Sequence, residues 1–293
     1  MVSPPPLPSH SSPSSSSETE HITLYGFYKP ENKPSASGFC QKLETFFRAV
    51  GYTSYTHTAT WPNKAPKGKL PYISITPSSS SPDDKDLSKS ITILPDSTFI
   101  IKHLIESGIT PDPDSLLTPL QKADSRAYQA QLEEFTYHAL VCSRWRRPAN
   151  YTNIVRDLPI PWPFNLFIPG YIRRGILASI VAQGVGRHSD EEQDGIMKEL
   201  IDALELKYTA SAALLSSAVW FHATDTPTLI DITIAGFFMN ALGYDTNPEF
   251  ASMILASPRL REFAKVTTKM WFPEYEGVLK VIAEAELAQG AAA

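Results

Sequence analysis

The residues best equipped for chemistry fall in three short stretches. In Ser37-Gly38-Phe39-Cys40, a serine stands where a strand hands over to a helix. A helix N-terminus offers unpaired N–H groups and the positive end of the peptide dipole, so a hydroxyl or thiol held there favours an anion. Ser37 is equally suited to the plain duty of an N-cap. Cys40 lies one turn further in, on the apolar face, where cysteine behaves as a small hydrophobe. The second stretch is Lys69-Leu70-Pro71, just ahead of a strand, a position that tolerates proline. With a cis Leu70–Pro71 bond, the Leu70 backbone would face outward and could pair with an extended peptide; a trans bond would make the same residues a simple strand start. The third stretch is Asp96-Ser97, a carboxylate and a hydroxyl at a strand-to-helix turn. Beside exposed helix N–H groups they suit the amino and carboxylate ends of an amino-acid-like ligand, and they would also serve as caps.

These stretches need a scaffold, and the punctuation of the chain between residues 21 and 110 supplies one. Ile22 to Phe27 alternates like a strand. The helix opened by Ser37 carries Cys40, Leu43, Phe46, Phe47 and Val50 at helical spacing and closes at Gly51. Tyr52 to Thr60 reads as a second strand and Trp61 to Gly68 as irregular chain. Tyr72 to Ile75 and Ile91 to Leu94 are two short strands. A helix starting at Asp96 or Ser97 carries Ile100, Ile101, Leu104 and Ile105 and is closed by Gly108. The first crossover can join parallel strands and the last two strands can form an antiparallel hairpin. That order predicts a compact α/β unit of the thioredoxin type.

Residues 111–120, opening with Pro111-Asp112-Pro113-Asp114, read as a linker. Residues 121–288 then show helical periodicity without an alternating strand, which predicts an all-helical second domain. Its expected helices are Gln121–Trp145, Asn165–Ala182, Asp190–Ser216, Thr228–Leu242, Pro258–Met270 and Tyr275–Ala288. Residues 1–20, rich in Pro and Ser, are expected to be a disordered arm, and Thr76 to Ser90 a long surface loop.

Composition narrows the function. Apolar residues make up 42% of the chain, enough for a sizeable core, and the formal net charge is −5. A nucleic-acid binder would normally show a basic face, so that class is excluded. The two cysteines, Cys40 and Cys142, exclude a disulfide scaffold and a four-thiolate zinc site, and no metal is expected. Serine stands where a disulfide oxidoreductase would carry its attacking cysteine. No secretory signal is read. Trp162 to Gly184, the most apolar later stretch, is broken by Pro169, Arg173 and Arg174 and does not read as a membrane span. The expectation is a cytoplasmic protein with no membrane partner. Asn150-Tyr151-Thr152 fits a glycosylation sequon only by chance on this reading.

Jointly, the segments Ser37-Gly38-Phe39-Cys40-Gln41-Lys42-Leu43-Glu44, Pro66-Lys67-Gly68-Lys69-Leu70-Pro71-Tyr72-Ile73 and Pro95-Asp96-Ser97-Thr98-Phe99-Ile100-Ile101 resemble the cytosolic glutathione S-transferase superfamily, most nearly its failed-axon-connections and metaxin-like branch. Gly184-Val185-Gly186-Arg187-His188-Ser189 with Glu192 is similar to a C-terminal signature of that branch. Pro227-Thr228-Leu229-Ile230-Asp231 is similar to the capping box of the buried helix in the transferase C-terminal domain.

The resemblance implies a thioredoxin-like N-terminal domain followed by an all-helical glutathione S-transferase C-terminal domain, with glutathione as the bound thiol. It implies that Ser37 contacts the glutathione sulfur, that Leu70 and Pro71 pair with the cysteinyl backbone, and that Asp96 and Ser97 hold the γ-glutamyl end. Lys69 or Lys67 would meet the glycyl carboxylate, and Tyr28 is a rival for the sulfur contact. Gly38 stands where the branch commonly has proline, which would loosen the first turn. The implied activity is thiolate attack on an apolar electrophilic small molecule in a groove lined by Tyr128, Phe135, Tyr137 or Trp145. The outcome would be conjugation or glutathione-dependent cis–trans isomerisation, as in fungal secondary metabolism, with a homodimer as one expected state. Because the branch includes adaptors without demonstrated transferase chemistry, a non-catalytic binding protein is the competing expectation.

Overall fold

The computed structural model describes residues 20–76, 91–214 and 219–290. The expected N-terminal arm and nearly all of the loop after Ile75 lie outside these residues.

Strand β1 (His21–Gly26) buries Ile22 and Leu24 on the core side of the sheet. Helix α1 (Gly38–Ala49) follows, then β2 (Tyr55–Ala59), β3 (Tyr72–Thr76), β4 (Thr92–Pro95) and helix α2 (Ser97–Glu106). The strands form one sheet in the order β2-β1-β3-β4. β1 runs parallel to β2, antiparallel to β3, and β3 antiparallel to β4. The crossover and the hairpin expected from the sequence are both present. Residues Tyr25 and Tyr72 are register partners, as are Tyr72 and Pro95. The end of β1, the start of β3 and the end of β4 therefore coincide, and all three chemical stretches emerge from the same end of the sheet.

The second half is helical, as expected. α3 (Pro119–Ala130), a π-helical turn (Gln131–Thr136) and α4 (Tyr137–Arg146) form the long element read as one helix. At the wide turn, Glu133 meets Lys42 of α1 at 2.5 Å, with both side chains almost fully buried. Thr98 and Gln129 add hydrogen bonds to this pair, so the buried charges are compensated. Next come α5 (Pro148–Asp157), α6 (Ile168–Gln183), α7 (Asp190–Leu214), α8 (Leu229–Leu242), α9 (Pro248–Ala256), α10 (Pro258–Trp271) and α11 (Glu276–Gly290). Helices α5 and α9 were not expected from the sequence. Each begins on a proline at its first turn, where the missing N–H costs nothing. Asn150 is buried in α5 and donates to Glu249, so the sequon is inaccessible. Among the described residues no helix is long and apolar enough to cross a membrane.

Helix α8 is the axis of the molecule. Every residue from Ile230 to Leu242 is buried. Its start is the expected capping box: Thr228 N–H and hydroxyl both donate to Asp231, at 2.9 and 2.6 Å. Asp231 also accepts from the Phe221 N–H and the Tyr208 hydroxyl. Along its length α8 lies directly on α1. A Cβ built on Gly236 would stand 2.7 Å from the Lys42 Cα, so only glycine permits this backbone approach.

Gly236→Ala therefore costs about 1–3 kcal/mol in denaturant unfolding. Gly175→Ala in α6, where a Cβ meets open space, gains up to about 1 kcal/mol. Equal effects at the two sites would contradict the contact. Burial pushes the Asp231 carboxyl up from 3.8 to about 6. The native protein thus holds this proton more tightly than the unfolded chain. The stability tied to Asp231 is present below about pH 4 and falls as pH rises toward about 6. Comparing unfolding free energy against pH for wild type and Asp231→Asn isolates this fall, which the variant lacks.

Candidate functional site

At the shared sheet end, Ser37 caps α1 in extended conformation. Its hydroxyl oxygen accepts the Cys40 N–H at 3.4 Å and its carbonyl accepts the Gln41 N–H at 2.9 Å. Gly38 is the first residue of α1. The Phe237 ring of α8 lies where a side chain would stand, 2.8 Å from a built Cβ, so the position leaves no room for proline. Ser37 is half-buried, and its hydroxyl is at the mouth of the helix. Cys40 is fully buried beneath it. Desolvation pushes the Cys40 thiol up to about 11, against the pull of hydrogen bonding with the Ser37 and Ser35 hydroxyls and the Phe27 backbone. Cys40 is therefore a protonated core residue at neutral pH, as its place on the apolar face implies.

The Leu70–Pro71 bond is cis. Among the described residues, neither the Leu70 N–H nor its C=O finds a backbone partner, and buried backbone groups normally have one. The Pro71 carbonyl accepts the Asp96 N–H at 3.3 Å, joining the second stretch to the third. Asp96 caps α2, its carboxylate accepting from Thr98 N–H at 3.0 Å and Phe99 N–H at 3.5 Å. It holds φ 78° and ψ 117°, a region unfavourable to any residue with a side chain, and strain of this kind clusters at ligand clamps. Ser97 is buried beside it. The Lys67 ammonium lies 5.3 Å from the exposed Phe99 ring centroid, on the α2 side of the site, whereas Lys69 is exposed. Tyr28 follows the end of β1 and is 67% exposed, with no hydrogen bond among the described residues. Seven sequence-derived residues (Ser37, Tyr28, Lys69, Leu70, Pro71, Asp96 and Ser97) thus share one end of the sheet, and Asp96 and Pro71 touch directly.

The helical domain reaches the site through residues that sequence reasoning missed. Tyr244 donates to the Pro34 carbonyl at 2.8 Å, Asn240 to the Ser35 carbonyl at 2.7 Å, and Arg144 to the Ala36 carbonyl at 3.4 Å. Three successive carbonyls leading into Ser37 are thus clamped from the other domain. The remaining Arg144 bonds go to the Asn247 and Asn240 side-chain oxygens. Its guanidinium therefore rests on neutral acceptors, and burial lowers its pKa. No carboxylate pairs with it among the described residues, so the entrance to α1 carries a positive charge that nothing neutralises.

Of the four aromatics expected to line a groove, Tyr137 alone packs at this entrance, edge-on to Phe39 at 4.7 Å and beside Phe237. Tyr128 instead packs on Phe221, Trp145 lies against Tyr151, and Phe135 is on the surface. The interdomain cleft that does form, about 360 Å³, lies between α2, α3 and α8 and is lined by Lys42, Thr98, Ile101, Gln129 and Thr233 among others. At the α1 entrance, the Phe237 ring of α8 packs edge-on to Phe39, with centroids 5.3 Å apart.

At its start, α2 separates two roles of Asp96. Asp96→Gly relieves the positive φ and keeps stability within a few tenths of a kcal/mol, whereas Asp96→Ala costs about 1 kcal/mol. Thermal unfolding of the two variants checks the order; Ala as stable as Gly would contradict the strained cap.

Comparison with known proteins agrees with this architecture. Residues 38–150 match the family described as glutathione S-transferase N-terminal domain. The chain is 28% identical to Metaxin-1 of Mus musculus over 190 residues, covering 64% of this chain and 55% of that protein. It is 27% identical to Failed axon connections of Drosophila melanogaster over 228 residues, covering 73% of this chain and 49% of that protein. The chain thus spans about half the length of the curated relatives it matches. Among solved structures, the glutathione transferase GSTFuA2 of Phanerochaete chrysosporium superposes with a TM-score of 0.56 at 14% identity, covering 86% of this chain and 98% of that one. GSTFuA3 of the same organism gives 0.53 at 15%, covering 87% of this chain and 98% of that one.

Proposed function

Because residues 38–150 match the glutathione S-transferase N-terminal domain family and the chain is similar to metaxin-1 and Failed axon connections, we propose that it is a member of the glutathione S-transferase superfamily that binds glutathione along the free end of its sheet and activates the thiol. The observation that carries this reading is the meeting of Ser37, the unpaired Leu70 backbone and the Asp96-Ser97 turn at one sheet end. Glutathione supplies a thiolate able to add to an electrophilic carbon. The net outcome is conjugation, or cis–trans isomerisation when the sulfur leaves again.

The chain's own residues set the state of that thiol. A free thiol titrates near 8.5, so little of it is ionised at neutral pH. The Ser37 hydroxyl can donate to the sulfur, the α1 dipole presents its positive end, and the Arg144 charge stands one residue away at Ala36. All three favour the anion. The Leu70 N–H and C=O suit the cysteinyl backbone in the manner of an added strand. Asp96 and the α2 N-terminus suit the amino and carboxylate groups of the γ-glutamyl end. Lys67 or Lys69 suits the glycyl carboxylate. The apolar co-substrate would rest against Phe39 and Tyr137.

A second reading, a non-catalytic binding protein, draws support from the sequence relatives and from the clefts. The interdomain cleft and a second cleft at the C-terminal end of α1, about 550 Å³, are lined by none of Ser37, Leu70 or Asp96.

Calorimetric titration of glutathione separates the readings. Wild type binds, and Asp96→Gly, chosen because it keeps the fold, loses about tenfold or more in affinity. No heat at millimolar glutathione would end the transferase reading. For the sulfur contact, Ser37→Ala raises the pKa of the bound thiol toward about 8.5, read from thiolate absorbance against pH. An unchanged titration would move the role to Tyr28, and Tyr28→Phe would then carry the shift.

A further inference from the structure

The apolar stretch from Trp162 to Gly184 has no part in the glutathione site, and its side chains are turned outward. Trp162, Phe164, Leu166, Phe167 and Tyr171 are between 57% and 81% exposed. The first four lie in the connection from α5 to α6, which contains a 3-10 turn at Phe164–Leu166, and Tyr171 lies in the first turn of α6. Pro159, Pro161, Pro163 and Pro169 punctuate it and limit its backbone freedom. The outer side of α6 continues the surface with Tyr171, Arg174, Gly175, Ala178 and Val181, all exposed, with the uncharged Ser179 and Gln183 exposed beside them. An ordinary solvent-facing helix carries charges of both signs there. Exposed apolar clusters of this kind mark surfaces that something covers.

The platform beneath is firmly seated. Arg173 donates to the Trp145 carbonyl at 2.7 Å and the Arg146 carbonyl at 3.0 Å, and its guanidinium lies 4.6 Å from the Tyr151 ring centroid. It thereby closes the C-terminal end of α4 and fixes α6 against it. The outward residues are therefore presented by a fixed element.

Charge identifies the occupant. From Leu158 to Ser189 the chain contains no Asp or Glu, while Arg173, Arg174 and Arg187 are cationic. Arg174 and Arg187 are exposed. Apolar aromatics beside arginine, with no acid among them, match an anionic lipid surface. Trp and Tyr favour the headgroup level, Phe and Leu enter the acyl boundary, and arginine meets the lipid anions. A second copy docking through the same face about a two-fold axis would bring its own positive charges together. The surface lies on one connection and one helix face, and no described helix is long and apolar enough to cross a membrane. We propose that the connection from Trp162 to Phe167 and the outer face of α6 from Tyr171 form a docking surface for an anionic lipid bilayer.

The test is flotation of the full chain with vesicles of phosphatidylcholine alone and of phosphatidylcholine mixed with phosphatidylserine. Wild type is expected to float with the mixed vesicles, less so at high salt. The double variant Trp162→Ser/Phe167→Ser and the single variant Arg174→Glu are each expected to lose about tenfold or more in vesicle affinity. Their melting temperatures should match wild type, since all three side chains are exposed. Quenching of tryptophan fluorescence by lipid-borne quenchers, lost on Trp162→Ser, would confirm the side that inserts. Three results would overturn the proposal: no flotation of wild type, unchanged flotation of the folded variants, or self-association abolished by the double variant without vesicle binding.

Discussion

The structure depends on the close backbone contact between α8 and α1. Gly236 lies on the Lys42 backbone, Phe237 on Gly38, Asn240 on the Ser35 carbonyl, and Gly243 on Pro34. Moving backward along α1 and out through its leading loop, each step meets the next turn of α8. Burying a helix on all sides is favourable only when its neighbours come this near, and glycine at the contact allows it. The capping box at Asp231 fixes where α8 begins, and its position then fixes the loop that presents Ser37. The sheet contributes the remaining constraint. Its mixed register brings the Leu70–Pro71 bond and the α2 N-terminus to the same end as that loop.

Electrostatics at that end favour a bound anion. Two other buried cations are matched by carboxylates: Lys42 has Glu133, and Lys29 has Glu44 at 3.2 Å. Arg144 is the contrast, with neutral oxygens as its partners. A desolvated cation left in this state stabilises whatever negative charge comes near, and the α1 dipole acts in the same direction. The buried Cys40 thiol cannot supply that charge, since desolvation keeps it protonated. A thiolate brought by a ligand can.

Much of this was legible in the sequence because it is local. Alternation gave β1, helical spacing gave α1, and Ser37 and Asp96 stand where caps belong. The parallel crossover and the hairpin followed from element order. What escaped is of two kinds. Helices α5 and α9 open on Pro148 and Pro248, and a proline that reads as a breaker is also a good first residue. The clamp on the Ser37 loop comes from Arg144, Asn240 and Tyr244, which are 108, 205 and 210 residues away from their partners. No local pattern announces a side chain reaching that far. The same applies to the groove: aromatic spacing along α3 and α4 gave Tyr128 and Trp145, but packing turned them toward Phe221 and Tyr151, and the ring beside Ser37 belongs to α8.

The central claim is a position, that of a thiol sulfur at the mouth of α1. A crystal structure of the protein soaked with glutathione tests it directly. The account predicts the sulfur within hydrogen-bond distance of the Ser37 hydroxyl, with the cysteinyl backbone paired to Leu70 and the γ-glutamyl end at Asp96. A tripeptide bound in the cleft between α2 and α3 instead, or a site end that stays closed to it, would contradict the account.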